Sequence, residues 1–257
     1  MARNSIFQEE RKREILKILK KTNRIDVLEM CEKFNISPST ARNDLKELES
    51  EDIIKRTHGG AILKHQPSTE IPSTENEKTM LNEKAAIAKK ALQLINDGET
   101  IGISTGSTGY ALAKELINKK NLTIITNDVK IACFLEQNTS FTIFIIGGVI
   151  RNQFHYIMDN VDLPKNISIN KFFFSSNGFS IQHGATISDI MLSKNEKTLL
   201  NLSQKRILLC DHSKLGTTHF AQILPIDKID EIIIDNGISK DCIEQFKKVD
   251  YQILIAD

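Results

Sequence analysis

The chain of 257 residues is 40% hydrophobic and 26% charged with a formal net charge of +1, enough to bury the core of one or two domains. No apolar run approaches the roughly 18 to 20 residues of a membrane span, and the N-terminus leads into Arg11-Lys12-Arg13-Glu14 rather than an apolar signal core. Cys31, Cys133, Cys210 and Cys242 stand far apart without a CxxC pair, which argues against a disulfide framework or a zinc site and predicts buried, reduced thiols in a cytoplasmic protein.

The small net charge hides an uneven distribution, because residues 1–64 hold 14 Lys/Arg against 11 Asp/Glu and the remainder 20 against 22. In the basic part Ile15, Leu16, Ile18 and Leu19 give a first helix an apolar stripe over about residues 9–21. Val27, Leu28, Met30, Cys31 and Phe34 mark a second helix, and Ala41, Leu45 and Leu48 recur at i, i+4 and i+7 in a third. The third opens on Ser37, which can accept a backbone N–H bond as N-cap, and Pro38, whose missing N–H suits a first helical turn. Only Asn35-Ile36-Ser37 separates the last two helices, so the pair reads as a helix-turn-helix. Two β-prone pieces, 53–56 and 61–64, flank a Gly-Gly turn and predict a hairpin that forms a wing. Residues 65–79 then lose apolar periodicity and concentrate Pro, Ser, Thr and Glu, as linkers do. The predicted organisation is a winged helix-turn-helix over 1–64, a linker over 65–79 and a second domain over 80–257.

In that second domain helical and strand patterns alternate. A helix with Ala85, Ala88, Leu92 and Ile95 precedes the strand TIGIS, one with Leu112 and Leu116 precedes LTIIT, and one with Ala132 and Leu135 precedes FTIFII. KFFFSS, RILLC, EIIID and YQILI follow. Apolar strands separated by helices predict an α/β, Rossmann-like domain with a mostly parallel sheet covered on both faces.

With Ala41, Leu45 and Leu48 turned to a core, Ser39, Arg42, Asn43 and Lys46 occupy other angles of the third helix. Such a face is either an ordinary solvated one or a reading head in a DNA major groove, where Arg bridges guanine O6 and N7 and Asn bridges adenine N6 and N7. The wider pattern runs from Arg11 through Ile15 and Leu19 to Ser37-x-x-Thr40-Ala41-Arg42-Asn43-Asp44-Leu45, then Leu48 and Arg56-Thr57-His58-Gly59-Gly60-Ala61. Over about residues 5–63 this resembles the N-terminal winged helix-turn-helix of the DeoR family of bacterial transcription regulators. The resemblance implies that Ser39, Thr40, Arg42, Asn43 and Lys46 meet DNA. Asn43 stands where the family usually carries a second arginine, which implies a different operator preference. In the wing, Lys55, Arg56 and His58 are placed to meet phosphates. The Gly-Gly pair there also fits a turn that needs positive φ.

The stretch TIGISTGSTGYALA puts Ser104, Thr105, Gly106, Ser107, Thr108 and Gly109 between a strand and a helix. Glycines, hydroxyls and a helix N-terminus favour an anion such as phosphate, although a tight strand-to-helix connection accounts for the same residues. Further loops fall at strand ends: Asn127-Asp128, Gly147-Gly148 with Arg151, Asn177-Gly178, and Asp211-His212-Ser213-Lys214. STGST and DHSK make residues 78–257 similar to the DeoR effector domain, whose fold is like that of ribose-5-phosphate isomerase. That resemblance implies a phosphorylated sugar or sugar derivative held by Thr105, Gly106, Ser107, Thr108, Asn127, Gly147, Gly148 and Lys214, and the strand-end loops add Arg151 and Asn177 to the expected effector-binding residues.

An isomerase with an appended DNA-binding domain is the rival reading, and it requires a carboxylate base. The strand end that supplies acids in the similar isomerases reads Ser175-Ser176-Asn177-Gly178 here, so no catalytic residue is assigned. A C-terminal domain that only oligomerises is the third possibility. The six histidines show no HxH or HExxH spacing, so neither a metal nor a cofactor is expected. The sequence is therefore read as a repressor of a carbohydrate operon, whose partners are operator DNA, a sugar phosphate and further copies of itself in a dimer or tetramer.

Overall fold

The computed structural model describes residues 8–22, 24–50, 54–56, 59–63, 78–151, 153–158, 167–249, 251 and 253–257. The chain divides into two compact units, Met1–Thr69 and Glu70–Asp257. Most of the linker expected over 65–79 lies outside the described residues. No helix among them is long and apolar enough to cross a membrane.

In the first unit α1 (Gln8–Thr22), α2 (Val27–Phe34) and α3 (Pro38–Ser50) pack on strands β1 (Arg24–Asp26), β2 (Ile54–Arg56) and β3 (Gly60–Leu63). The strands form an antiparallel sheet in the order β1-β3-β2. Asn35 ends α2 in the left-handed conformation at φ 51°, one that Asn tolerates better than most residues. Ser37 Oγ accepts the Thr40 N–H at 3.2 Å, which satisfies a donor that the start of α3 leaves open. Ile15, Leu19, Met30, Phe34, Ala41, Leu45, Leu48 and Ile54 make the core, as the periodicity predicts, whereas Leu28 faces solvent. The wing has one strand more than expected, since three residues of β1 are too few to show a period. Gly60 is needed for closeness rather than for positive φ: a Cβ there would lie 1.9 Å from the Ile25 carbonyl oxygen, so the two strands meet only over glycine.

The second unit is built on seven parallel strands in the order β15-β14-β12-β9-β4-β5-β6. These are β4 (Thr100–Ile103), β5 (Thr123–Thr126), β6 (Thr142–Ile145), β9 (Ile169–Ser175), β12 (Ser203–Cys210), β14 (Glu231–Asp235) and β15 (Ile253–Ala256). Alternation along the central strands feeds two cores. Phe172, Phe174, Leu208, Cys210, Ile232 and Ile234 enter one, and Phe173, Ile207, Leu209 and Ile233 the other. Helices α4 (Leu81–Leu92), α5 (Ser107–Glu115) and α6 (Val129–Asn138) cover the second core. The first is covered by α7 (Ile190–Asn201), α8 (Lys240–Lys248) and an unforeseen antiparallel sheet of β10 (Gly178–Ser180), β11 (Gly184–Ile187) and β13 (Ala221–Leu224). Gly102 of β4 leaves room for the Phe172 ring, which a Cβ would meet at 2.4 Å. The expectation of complete cover fails at β6, the edge strand, where Phe144 and Ile145 are exposed. A short hairpin of β7 (Val149–Ile150) and β8 (Ile157–Met158) follows it. Cys210 is buried, with its thiol pushed up to about 12 by desolvation, but Cys133 lies on the exposed side of α6 and Cys31 and Cys242 are half-buried.

The first unit also encloses an ion pair. Asp44 sits on the buried side of α3 with Ala41, Leu45 and Leu48, and Arg11 of α1 reaches it through two hydrogen bonds, Nε to Oδ2 at 2.6 Å and Nη2 to Oδ1 at 3.0 Å. The hydrogen bond to Asp44 raises the Arg11 pKa against the opposing effect of burial. Removing one partner leaves the other charged and buried, which costs about 3–5 kcal/mol. Asp44→Ala should therefore lower the stability of the N-terminal unit by about that amount in urea denaturation, and an Arg11→Met, Asp44→Leu double variant should recover most of the loss.

Candidate functional site

Each unit carries one candidate surface. In the first, Arg42, Asn43 and Lys46 are exposed on one side of α3, one turn apart at most. Ser39 is exposed and Thr40 half-buried, and both hydroxyls lie near the cap, at 2.7 and 2.9 Å from Ser37 Oγ. Arg42 and Asn43 thus fall in the first two turns and Lys46 in the third, on the part of a helix that, on entering a groove, meets base edges. Arg56 is exposed on β2, and its N–H donates to Glu49 Oε1 at 3.1 Å. Lys55 belongs to the same strand, but its side chain and the whole of His58 lie outside the described residues.

In the second unit the sheet order reverses at β4: β5 and β6 continue on one side, β9 and β12 on the other. The crevice beyond the strand ends at such a switch is where open α/β sheets bind ligands. Gly106 enters α5 there at φ 114°, a conformation that favours glycine. The turn is pinned from β5. Asp128 Oδ2 accepts Thr105 Oγ1–H at 2.6 Å and Gly106 N–H at 3.3 Å, while Oδ1 caps α6 through Lys130 and Ile131 N–H at 2.8 and 3.0 Å. Burial raises the Asp128 pKa, and these donors oppose the shift. Across the switch, Ser175 Oγ donates to the Thr105 carbonyl at 3.3 Å.

Of the residues expected to hold a ligand, Thr105, Gly106, Ser107 and Thr108 open α5, and Asn127 is fully buried at the end of β5. The Thr105 hydroxyl is spent on Asp128, whereas Thr108 Oγ1 is buried without a partner. Lys214 follows β12, its Nζ 3.4 Å from Asp211 Oδ2. Burial would raise the Asp211 pKa, but Lys214, Ser213 and Lys84 hold it below the ordinary range. Gly147 and Gly148 make the turn into β7, and a Cβ on Gly148 would strike the Met158 carbonyl oxygen at 2.2 Å. Arg151 hydrogen-bonds Asp189 Oδ2 at 2.5 Å and the Tyr156 hydroxyl, and stacks on Phe154 at 4.1 Å. Asn177 serves the β9–β10 turn, its Oδ1 accepting the Ser188 N–H at 2.9 Å. No group of three His, Cys, Asp or Glu able to hold a metal ion stands among the described residues.

Sequence reading missed two members of this edge. His219 packs with its Nδ1 2.9 Å from Ser188 Oγ, and desolvation lowers its pKa. The other is Glu196 of α7, 1% exposed, whose Oε1 accepts Ser104 Oγ–H at 2.8 Å and Asn127 Nδ2–H at 3.5 Å. Burial pushes the Glu196 carboxyl up to about 7. A carboxyl held above its unfolded value of 4.5 favours the folded state while protonated, so it subtracts stability progressively as pH rises from about 4.5 to about 7. Its Oε2 and the Asn127 Oδ1 are both buried without partners, each a loss of about 1–3 kcal/mol. The signal was present: Leu192, Glu196 and Leu199 share one face of α7, and an acid there interrupts an apolar stripe.

Comparison with known proteins agrees with both halves. Residues 11–67 match the DeoR-like helix-turn-helix domain and residues 79–236 the DeoR C terminal sensor domain. The chain is 33% identical over 257 residues to the HTH-type transcriptional regulator GolR of Listeria innocua, covering 98% of this chain and 100% of that one. It is 35% identical to the lactose phosphotransferase system repressor of Staphylococcus aureus, over 88% of this chain and 91% of the relative. Among solved structures, ribose 5 phosphate isomerase A from Neisseria gonorrhoeae aligns with a TM-score of 0.41 and 18% identity, over 52% of this chain and 53% of that chain. With a helix-turn-helix that exposes Arg42 and Asn43, a parallel α/β unit following it in sequence and both family models matched in order, the chain belongs to the DeoR family of transcription regulators.

Proposed function

We propose that the N-terminal unit reads operator DNA through Arg42, Asn43 and Lys46, positioned by Ser39 and Thr40, with Arg56 and the remainder of the wing on phosphates. The C-terminal unit holds a phosphorylated sugar at the switch between β4 and β9. The phosphate lies on the N-terminus of α5, among Gly106, Ser107 and Thr108, with Lys214 as the counter-charge. One observation carries this reading: a glycine-entered helix opens at the topological switch with a buried hydroxyl, Thr108 Oγ1, still lacking a partner. The Staphylococcus aureus relative, a lactose phosphotransferase system repressor, supports a carbohydrate operon as the target.

Ligand and operator are coupled only through differential affinity for two arrangements of the chain, and by linkage each changes the other's affinity by the same factor. One helix-turn-helix covers a short half-site, so the working species is a homo-oligomer, dimer or tetramer, acting in the cytoplasm.

Arg42→Ala should weaken operator binding by about 1–3 kcal/mol in a mobility-shift titration, the worth of one good base contact; unaltered affinity would remove Arg42 from the interface. Raising salt from 50 to 200 mM should lower operator affinity by orders of magnitude, linearly in the logarithm of salt concentration, and a flat response would exclude phosphate contacts. Lys214→Ala should abolish the response of operator binding to phosphorylated sugars screened by thermal shift. A normal dose response in that variant would place the phosphate elsewhere.

A further inference from the structure

Among the described residues of the sensor unit two carboxylates keep a buried oxygen without a donor: Glu231, whose other oxygen is paired with Lys205, and Glu196, which has no cationic partner. Its Oε1 is held by Ser104 and Asn127, at the ends of the two neighbouring strands β4 and β5, so the head group is fixed beside the start of α5. Its Oε2 has no donor, and neither has the adjoining Asn127 Oδ1. Both residues are more than nine-tenths buried, and with the carboxyl ionised each of these oxygens calls for a donor from outside the residues that pack on them. The neighbours do not supply them: Ser104 is spent on Oε1, Thr105 on Asp128, and Asn195 on the Ile157 carbonyl at 3.0 Å. A glutamine could make the same bonds with Ser104 and Asn127 through its amide oxygen without burying an acid. The carboxylate is thus the poorer choice for stability alone, a pattern typical of binding residues.

We propose that Glu196 is a ligand-binding residue: its Oε2 and the Asn127 Oδ1 accept hydrogen bonds from neighbouring hydroxyls of the sugar whose phosphate lies on α5. The effector is accordingly a polyhydroxylated phosphate ester, gripped as an anion at one end and as a hydrogen-bond donor at the other. This rests on the phosphate site proposed above and adds the determinant of the sugar end. A single structural water donating to both oxygens is the competing occupant.

Calorimetric titration of the full chain with inorganic phosphate, ribose 5-phosphate, glucose 6-phosphate and fructose 6-phosphate tests it. At least one sugar phosphate should bind tenfold or more tightly than inorganic phosphate, and Glu196→Gln should collapse that ratio to below threefold. Ser104→Ala, which frees the carboxylate head while leaving its charge, should reduce the ratio in the same direction and decides the matter if the glutamine variant does not fold. Retention of the tenfold preference by the folded variants overturns the role of Glu196 and leaves the phosphate site standing. Absence of binding by every phosphorylated probe to the unsubstituted chain overturns both.

Discussion

The candidate site of the second unit depends on the strands of its seven-stranded sheet running in one direction. Parallel strands deliver their C-terminal ends, and the loops that follow, to a single edge, and the reversal of order at β4 opens a gap there that no crossover fills. The dipole of α5 and the glycine that admits it then fall at the mouth of that gap. Asp128 completes the arrangement by holding the turn after β4 and starting α6 with the same carboxylate, so two neighbouring loops share one anchor.

Charged residues on apolar helix faces recur, and each is resolved differently. Asp44 is met by a bidentate arginine from another helix. Lys84, buried on α4, donates to the Thr79 carbonyl at 2.8 Å and helps to keep Asp211 ionised. Glu196 is only half satisfied from within. The first two are settled by the protein's own groups, whereas the third leaves one buried oxygen without a donor.

Much of this was legible in the sequence because period and punctuation agreed. The three helices of the head were marked by apolar spacing, Asn35 and Ser37-Pro38, and the central strands by unbroken Phe and Ile runs. What escaped was short or non-local. β1 and the β7–β8 hairpin are too brief to display a period. In the antiparallel sheet of β10, β11 and β13 the pairing of β11 with β13 joins segments more than thirty residues apart, for which local pattern holds no information. The exposure of β6 depends on its place at the end of the strand order, and its apolar run looks the same as that of a central strand. The candidate DNA face was readable residue by residue, since exposure follows from helical angle. The sensor edge was only partly so: STGST and DHSK announce their loops, but Glu196 arrives from a helix whose sequence neighbours give no hint of Ser104 or Asn127.

The enclosed pair of Arg11 and Asp44 also constrains how the head can change over time. A lone replacement at either position strands an ion in the core, whereas a joint exchange for two apolar side chains of similar bulk does not. Among homologues these two sites should accordingly drift in step, as both ionic or both greasy, and the tilt of α3 against α1 should be inherited as one unit with them.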